Sequence, residues 1–286
     1  MADCEKDFSG WIGGMKMWIR TVALFAFLLT LPLPAAGASR VETGFLDREI
    51  TLDSVSYRYQ VYIPVNYARD KVLPVILSLH GAGEGGEDGL LQTQVGLGPA
   101  IRQARERFPF IVVFPQARRG RFWAGEMATL ALRALDQTVK EFNGDPQRLY
   151  VTGISLGGFG TWYVAARAPG KFAAIVPICG FVNVKRPDLP AERKAFVLDD
   201  NPFDKSPDPY AAAASQISKV PTWIFHGGAD PVVSPDESRK MFQTLKASGV
   251  DVKYTEYDGV AHDSWDRAYA EPDLVPWLLS HRRSQQ

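Results

Sequence analysis

Cysteine is nearly absent: Cys4 and Cys179 are the only two in 286 residues. A disulfide-stapled scaffold is therefore excluded, and stability has to come from a packed core, which a chain of this length can build. Charge of one sign is also missing. Lys+Arg and Asp+Glu number 32 each, for a formal net charge of zero. No basic block offers a footprint for nucleic acid, and no internal repeat points to a solenoid. Histidine is scarce, at four residues. Any chemistry that needs an imidazole therefore has few places to find one.

Long apolar runs are missing from the body of the chain, and the single candidate is N-terminal. Lys16 and Arg20 flank Met17 and precede Val22-Ala23-Leu24-Phe25-Ala26-Phe27-Leu28-Leu29. Pro32 and Pro34 break the run, and Ala36-Gly37-Ala38 supplies a small-residue cleavage site. This order is that of a secretory signal peptide over residues 1–38, with translation starting at Met1, Met15 or Met17. The run is short for a membrane span. The expectation is an exported protein, secreted or periplasmic, free of the membrane after cleavage, with residues 39–286 forming one catalytic domain.

What is present is an alternation of strands and helices. Thr51–Pro64 alternates as an antiparallel edge hairpin, clearest over Tyr57–Ile63. Short continuous apolar runs follow at Val75–Leu79, Phe110–Phe114, Leu149–Val151, Ala173–Ile178, Thr222–Phe225 and Val252–Tyr257. Helical patterns lie between and after them, near 98–107, 126–142, 156–168, 235–248 and 265–280. Continuous runs alternating with helices predict an α/β fold, a mostly parallel doubly wound sheet with helices on both faces. The segment Phe181–Tyr210 is charged, proline-rich and aperiodic. It reads as an excursion over the C-terminal edge of the sheet, where ligands bind in such folds, and so as a wall of the substrate pocket.

The chemistry centres on Gly153-Ile154-Ser155-Leu156-Gly157, a G-x-S-x-G elbow between a short apolar run and a helix. A serine hydroxyl needs a base to become a nucleophile. His80 and His226 end strands before glycines and read as braces of the turns. His281 lies in a polar tail and reads as solvated. His262 remains, in a loop after the last strand. The carboxylate that orients it is predicted to be Asp230, just beyond the Thr222–Phe225 strand, with Asp258 and Asp263 as weaker rivals. Oxyanion donors are predicted at the backbone N–H groups of Leu156 and of Ala82, in the glycine-rich loop His80-Gly81-Ala82-Gly83. Phe122-Trp123 and Trp265 are candidate aromatic walls for an acyl or sugar group; Trp265 reads as a pocket rim, and for Trp123 core packing is equally open. Glu84 and Glu126 are candidate pocket acids, with solvated surface the favoured reading, and Cys179 reads as a buried core thiol.

These pieces resemble the α/β-hydrolase superfamily. The resemblance is to the secreted esterases of the feruloyl esterase, polyhydroxybutyrate depolymerase and dienelactone hydrolase neighbourhood, often called prolyl-oligopeptidase-like. It spans about Tyr57 to Trp277. The motifs behind it are Leu79-His80-Gly81-Ala82-Gly83-Glu84, Asp145–Gly153, the elbow, His226-Gly227-Gly228-Ala229-Asp230-Pro231-Val232-Val233, and His262-Asp263-Ser264-Trp265. The resemblance implies Ser155 as nucleophile, His262 as base, Asp230 as acid, Ala82 and Leu156 as oxyanion donors, and neither metal nor organic cofactor. Its substrate would be a small or polymeric ester, and oligomeric state stays open. The chain lacks room for the propeller domain of a true prolyl oligopeptidase and lacks the disulfides of many polyester depolymerases. Ester cleavage is thus expected over peptide cleavage, with a peptidase or a non-catalytic binding protein as alternatives. Export itself is checked by N-terminal sequencing of protein recovered outside the cytoplasm, which is expected to begin at Ser39.

Overall fold

Two residues, Asp53 and Ser54, set the first turn. Both have positive φ, 49° and 67°, the backbone of a two-residue hairpin loop whose twist matches the strands it joins. They connect β1 (Gly44–Leu52) to β2 (Val55–Ile63) in antiparallel register, Leu52 opposite Val55 and Gly44 opposite Ile63. The hairpin expected over 51–64 thus begins earlier, because β1 is half-exposed and its apolar alternation is weak. The computed structural model describes residues 42–185, 196, 198, 200–201, 203–217 and 219–283; the expected leader over 1–38 lies outside them.

Six further strands follow: β3 (Leu73–Leu79), β4 (Ile111–Pro115), β5 (Gly144–Ile154), β6 (Ala174–Ile178), β7 (Thr222–Gly227) and β8 (Val252–Tyr257). Among the described residues the eight strands form one sheet in the order β1-β2-β4-β3-β5-β6-β7-β8. β2 pairs antiparallel with β4, and every pair from β4 to β8 is parallel. This is the predicted α/β architecture, with the antiparallel hairpin at one edge.

The helices are α1 (Leu97–Gln103), α2 (Gly125–Glu141), α3 (Leu156–Arg167), α4 (Pro209–Gln216), α5 (Asp236–Ala247), α6 (Trp265–Ala270) and α7 (Leu274–Ser280). The single helix expected over 265–280 is two, broken at Glu271-Pro272-Asp273, where proline has no N–H to continue the ladder. α4 was not foreseen. Pro209 opens it, and the Asp208 carboxylate caps it by accepting the N–H groups of Tyr210 and Ala211.

Strand alternation sorts the core into two layers. Val75, Leu77 and Leu79 of β3 pack with Ile111, Val113 and Val151 against α2, α3 and α5. Ile76, Val112, Phe114 and Tyr150 point to the other face, against α1, α6 and α7. The central strands are therefore dry on both sides, and the C-terminal edge of the sheet is where the chain has freedom to build a site.

The loop after β3 is held to that edge by His80. Its Nδ1–H donates to the Gly81 carbonyl at 2.6 Å, and its Nε2 accepts the Ala117 N–H at 2.9 Å. Trp123 Nε1–H donates to the His80 carbonyl at 3.0 Å. Burial pushes the imidazole down to about 4 from its ordinary 6.5, against the opposing pull of the Gly81 carbonyl. Between those two values the unfolded chain binds a proton that the native state refuses, so stability falls as pH drops from about 6.5 towards 4. The loss is on the order of 3 kcal/mol. Urea unfolding midpoints at about pH 7 and pH 4.5 are expected to fall further for the wild type than for His80→Gln, which has no imidazole to charge.

Candidate active site

The elbow is built by contacts that leave no space for side chains. A Cβ on Gly157 would collide with the Leu79 carbonyl at the end of β3, and one on Gly153 would collide with the Gly157 carbonyl. The chain can therefore cross from β5 into α3 only with glycine at both positions. Ser155, at the apex, has φ 53° and ψ −112°, and its N–H donates to the Ile178 carbonyl of β6 at 2.9 Å. A non-glycine residue held there stores roughly 1–3 kcal/mol of backbone strain.

Two loops at the same sheet edge complete the arrangement. His262, between β8 and α6, has Nε2 2.8 Å from Ser155 Oγ. Its Nδ1 lies 2.7 Å from Oδ2 of Asp230, in the loop after β7. A carboxylate can only accept, so Nδ1 carries the hydrogen and Nε2 is left to accept the Ser155 hydroxyl. Asp230 is buried, which alone would raise its pKa. Hydrogen bonds from His226, His262 and the Val233 N–H outweigh burial and hold the carboxyl well below its ordinary value. Asp230 is therefore an anion in a dry site. Asp258 and Asp263 are exposed, and Asp230 takes the place beside His262.

A cavity of about 340 Å³ opens in front of Ser155, lined by Ala82, Leu156, Phe122, Phe181, Phe196, Val95, Ile154, Val232, Val233, Glu84, His262 and Trp265. Ala82 starts a 3-10 turn, Ala82–Glu84, and Leu156 starts α3. The first N–H groups of a helix have no partner within it, so both residues have a donor to offer beside Ser155. Trp265 stands edge-on to the His262 ring, 5.6 Å between centroids.

Trp123 corrects the reading of its region. It is fully buried beneath the loop after β3, with its N–H spent on His80, and does not line the cavity. Phe122, the other half of that candidate wall, does line the cavity, packed edge-on against Phe159, Phe181 and Phe196. Phe181 and Phe196 come from the excursion expected to wall the pocket; residues 186–195, 197, 199 and 202 of that segment lie outside the described residues. Glu84 also faces the cavity, whereas Glu126 accepts the Tyr57 hydroxyl at 2.5 Å elsewhere. His281 is engaged with the Trp277 carbonyl and ring at the end of α7. Cys179 is buried behind the elbow, and burial raises its thiol pKa far above the ordinary value. Sequence reasoning missed that His226 reaches Asp230, at 3.1 Å.

The fold agrees with comparisons to known proteins. The chain is 24% identical over 264 residues to acetylxylan esterase A of Emericella nidulans, covering 80% of this chain and 78% of that one. It is 27% identical over 208 residues to an uncharacterized secreted protein of Arthroderma benhamiae, covering 69% of this chain and 22% of that one. A solved structure of a thermostable esterase superposes with a TM-score of 0.68 at 27% identity, over 84% of this chain and 63% of the other. The chain thus spans about a fifth of the secreted relative and under two thirds of the thermostable esterase. The family model described as the prolyl oligopeptidase family matches residues 127–281, the stretch that carries the elbow, Asp230 and His262. The chain has the α/β-hydrolase fold and belongs to the prolyl oligopeptidase family.

Proposed function

We propose that the protein is an exported serine esterase that cleaves carboxylic esters through an acyl-enzyme. The observation that carries this reading is the continuous contact Ser155 Oγ–His262 Nε2–His262 Nδ1–Asp230 Oδ2, at 2.8 and 2.7 Å, at the floor of an apolar cavity. A serine so placed has a base within reach, and the base has an anion behind it.

Ser155 Oγ attacks the acyl carbon while His262 Nε2 takes its proton. The oxyanion forms beside the N–H groups of Ala82 and Leu156. The bond to the alcohol oxygen then breaks, and His262 delivers the proton to that oxygen. Water attacks the acyl-enzyme with His262 again as base, the Ser155–acyl bond breaks, and Ser155 recovers its hydrogen as the acid leaves. Asp230 stays ionised throughout. Loss of one oxyanion donor costs roughly 10²–10³ in turnover in such sites.

The cavity sits at the small end of ligand pockets, and Phe122, Phe181 and Trp265 give it flat apolar walls. A short or single-ring acyl group fits those dimensions. The names of the acetylxylan esterase relatives support an ester substrate, and that of the secreted relative supports export. Membership of the prolyl oligopeptidase family favours peptide cleavage as the second reading.

A p-nitrophenyl ester ladder from acetate to palmitate, with ferulate, tests both. Turnover is expected to peak at short acyl chains or ferulate and to fall roughly 10⁴–10⁶-fold in Ser155→Ala, while the circular-dichroism melt stays intact. Retained activity in that variant would sink the reading. A small amide cleaved as fast as its matched ester would make the protein a peptidase, and a Ser155 inert to a fluorophosphonate would make it a binder.

A further inference from the structure

Asp230 has more partners than holding one imidazole requires. Its Oδ1 accepts the N–H groups of Val232 at 2.8 Å and Val233 at 2.9 Å. Its Oδ2 accepts His262 Nδ1–H at 2.7 Å and also His226 Nε2–H at 3.1 Å. The hydrogen on His226 is placed by its surroundings. Nε2 lies 3.0 Å from the Val233 carbonyl as well, and neither a carboxylate nor a carbonyl can donate. Nδ1 is then left to accept the hydroxyl of Ser238, on α5, at 2.7 Å. The cluster is dry, with His226 0%, Ser238 3% and Asp230 7% exposed.

We propose that His226 is a positioning residue of the candidate active site: its Nε2–H fixes the Asp230 oxygen that holds His262, and Ser238 fixes which ring nitrogen of His226 donates. The inference rests on the esterase reading of Ser155, His262 and Asp230. A carboxylate with both oxygens doubly occupied cannot turn towards water. Each donor on Oδ2 also draws off charge that would otherwise stabilise protonated His262. The Ser238 hydroxyl strengthens the effect, because a hydrogen bond received at Nδ1 polarises the N–H at Nε2.

Removing His226 therefore has two separable consequences: a looser His262, seen in kcat, and a more basic one, seen in the acid limb of the pH profile. A brace that only fills space would produce the first alone. The other charged groups nearby stay in place in each variant. Glu256 of β8 is held by Arg239 of α5. Glu237 of α5 is engaged by the N–H groups of Val182 and Asn183 and by the Tyr210 hydroxyl.

The test measures p-nitrophenyl acetate hydrolysis against pH for the full-length wild type, His226→Phe, His226→Gln and Ser238→Ala, with fluorophosphonate labelling of each. His226→Phe is expected to lower kcat by about tenfold or more, leave KM within about twofold, and raise the acid limb by about half a unit. His226→Gln, whose amide nitrogen can donate to Asp230, brings the limb back. Ser238→Ala moves it the same way as His226→Phe, by less. A lower kcat with an unmoved limb overturns the proposal. If His226→Phe does not fold, an unmoved limb in Ser238→Ala does so equally. A wild type that the fluorophosphonate fails to label at Ser155 removes the esterase reading and this inference with it. A labelled wild type whose limb ignores both substitutions removes this inference alone.

Discussion

The crossing of α3 over the end of β3 leaves no room for a Cβ, and the candidate site is laid out from it. Gly157 lies against the Leu79 and His80 carbonyls, and Gly153 lies against the Gly157 carbonyl. Nothing can slide without a backbone collision, so Ser155 is fixed relative to β3, β5 and, through its N–H, β6. The positive φ of Ser155 is the local cost. It is offset by the burial of α3, whose residues from Leu156 to Ala166 are all buried. At roughly 1.5–3 kcal/mol for each large apolar side chain removed from water, Phe159, Trp162 and Val164 outweigh a strained serine several times over.

Parallel strands bring the remaining groups to the same edge. β5, β7 and β8 end at nearly the same level, with Gly227 opposite Tyr257 and Ile154 opposite Ile178. Loops that leave those ends meet above the sheet without long extensions. The sheet faces are filled by two apolar layers, and the cavity in front of Ser155 opens at the edge between them. A dry edge strengthens each electrostatic contact on it. It also obliges every polar group there to find a partner, which Asp230 does four times over.

Much of this was legible in the chain because its signals are local or exclusive. The continuous apolar runs marked the parallel strands, and four histidines left His262 for the base once the others were read as braces or tail. What stayed hidden depends on orientation or on distance along the chain. Phe122 and Trp123 are adjacent and equally aromatic, yet one lines the cavity and the other supports the loop beneath it; periodicity cannot separate them in a segment without regular structure. β1 is half-exposed and escaped the alternation rule. Phe181 and Phe196 belong to an aperiodic excursion whose role as a pocket wall could be read, but not which of its residues would face the substrate.

His80 and His226 show how little a dipeptide says about its chemistry. Each stands within one residue of the end of a parallel strand, each precedes a glycine, and each is buried at the same sheet edge. His80 meets a carbonyl at Nδ1 and a backbone N–H at Nε2, so its hydrogen sits on Nδ1 and the ring serves the loop after β3. His226 meets a hydroxyl at Nδ1 and a carboxylate at Nε2, so its hydrogen sits on Nε2 and points at Asp230. The ring is the same, but the partner differs: backbone for one, the acid behind His262 for the other. That partner is supplied by α5 and the loop after β7, which come together only when the sheet is complete. A histidine at a strand end is thus given its task by the tertiary fold, and the donor–acceptor census of its two nitrogens is the observation that reveals it.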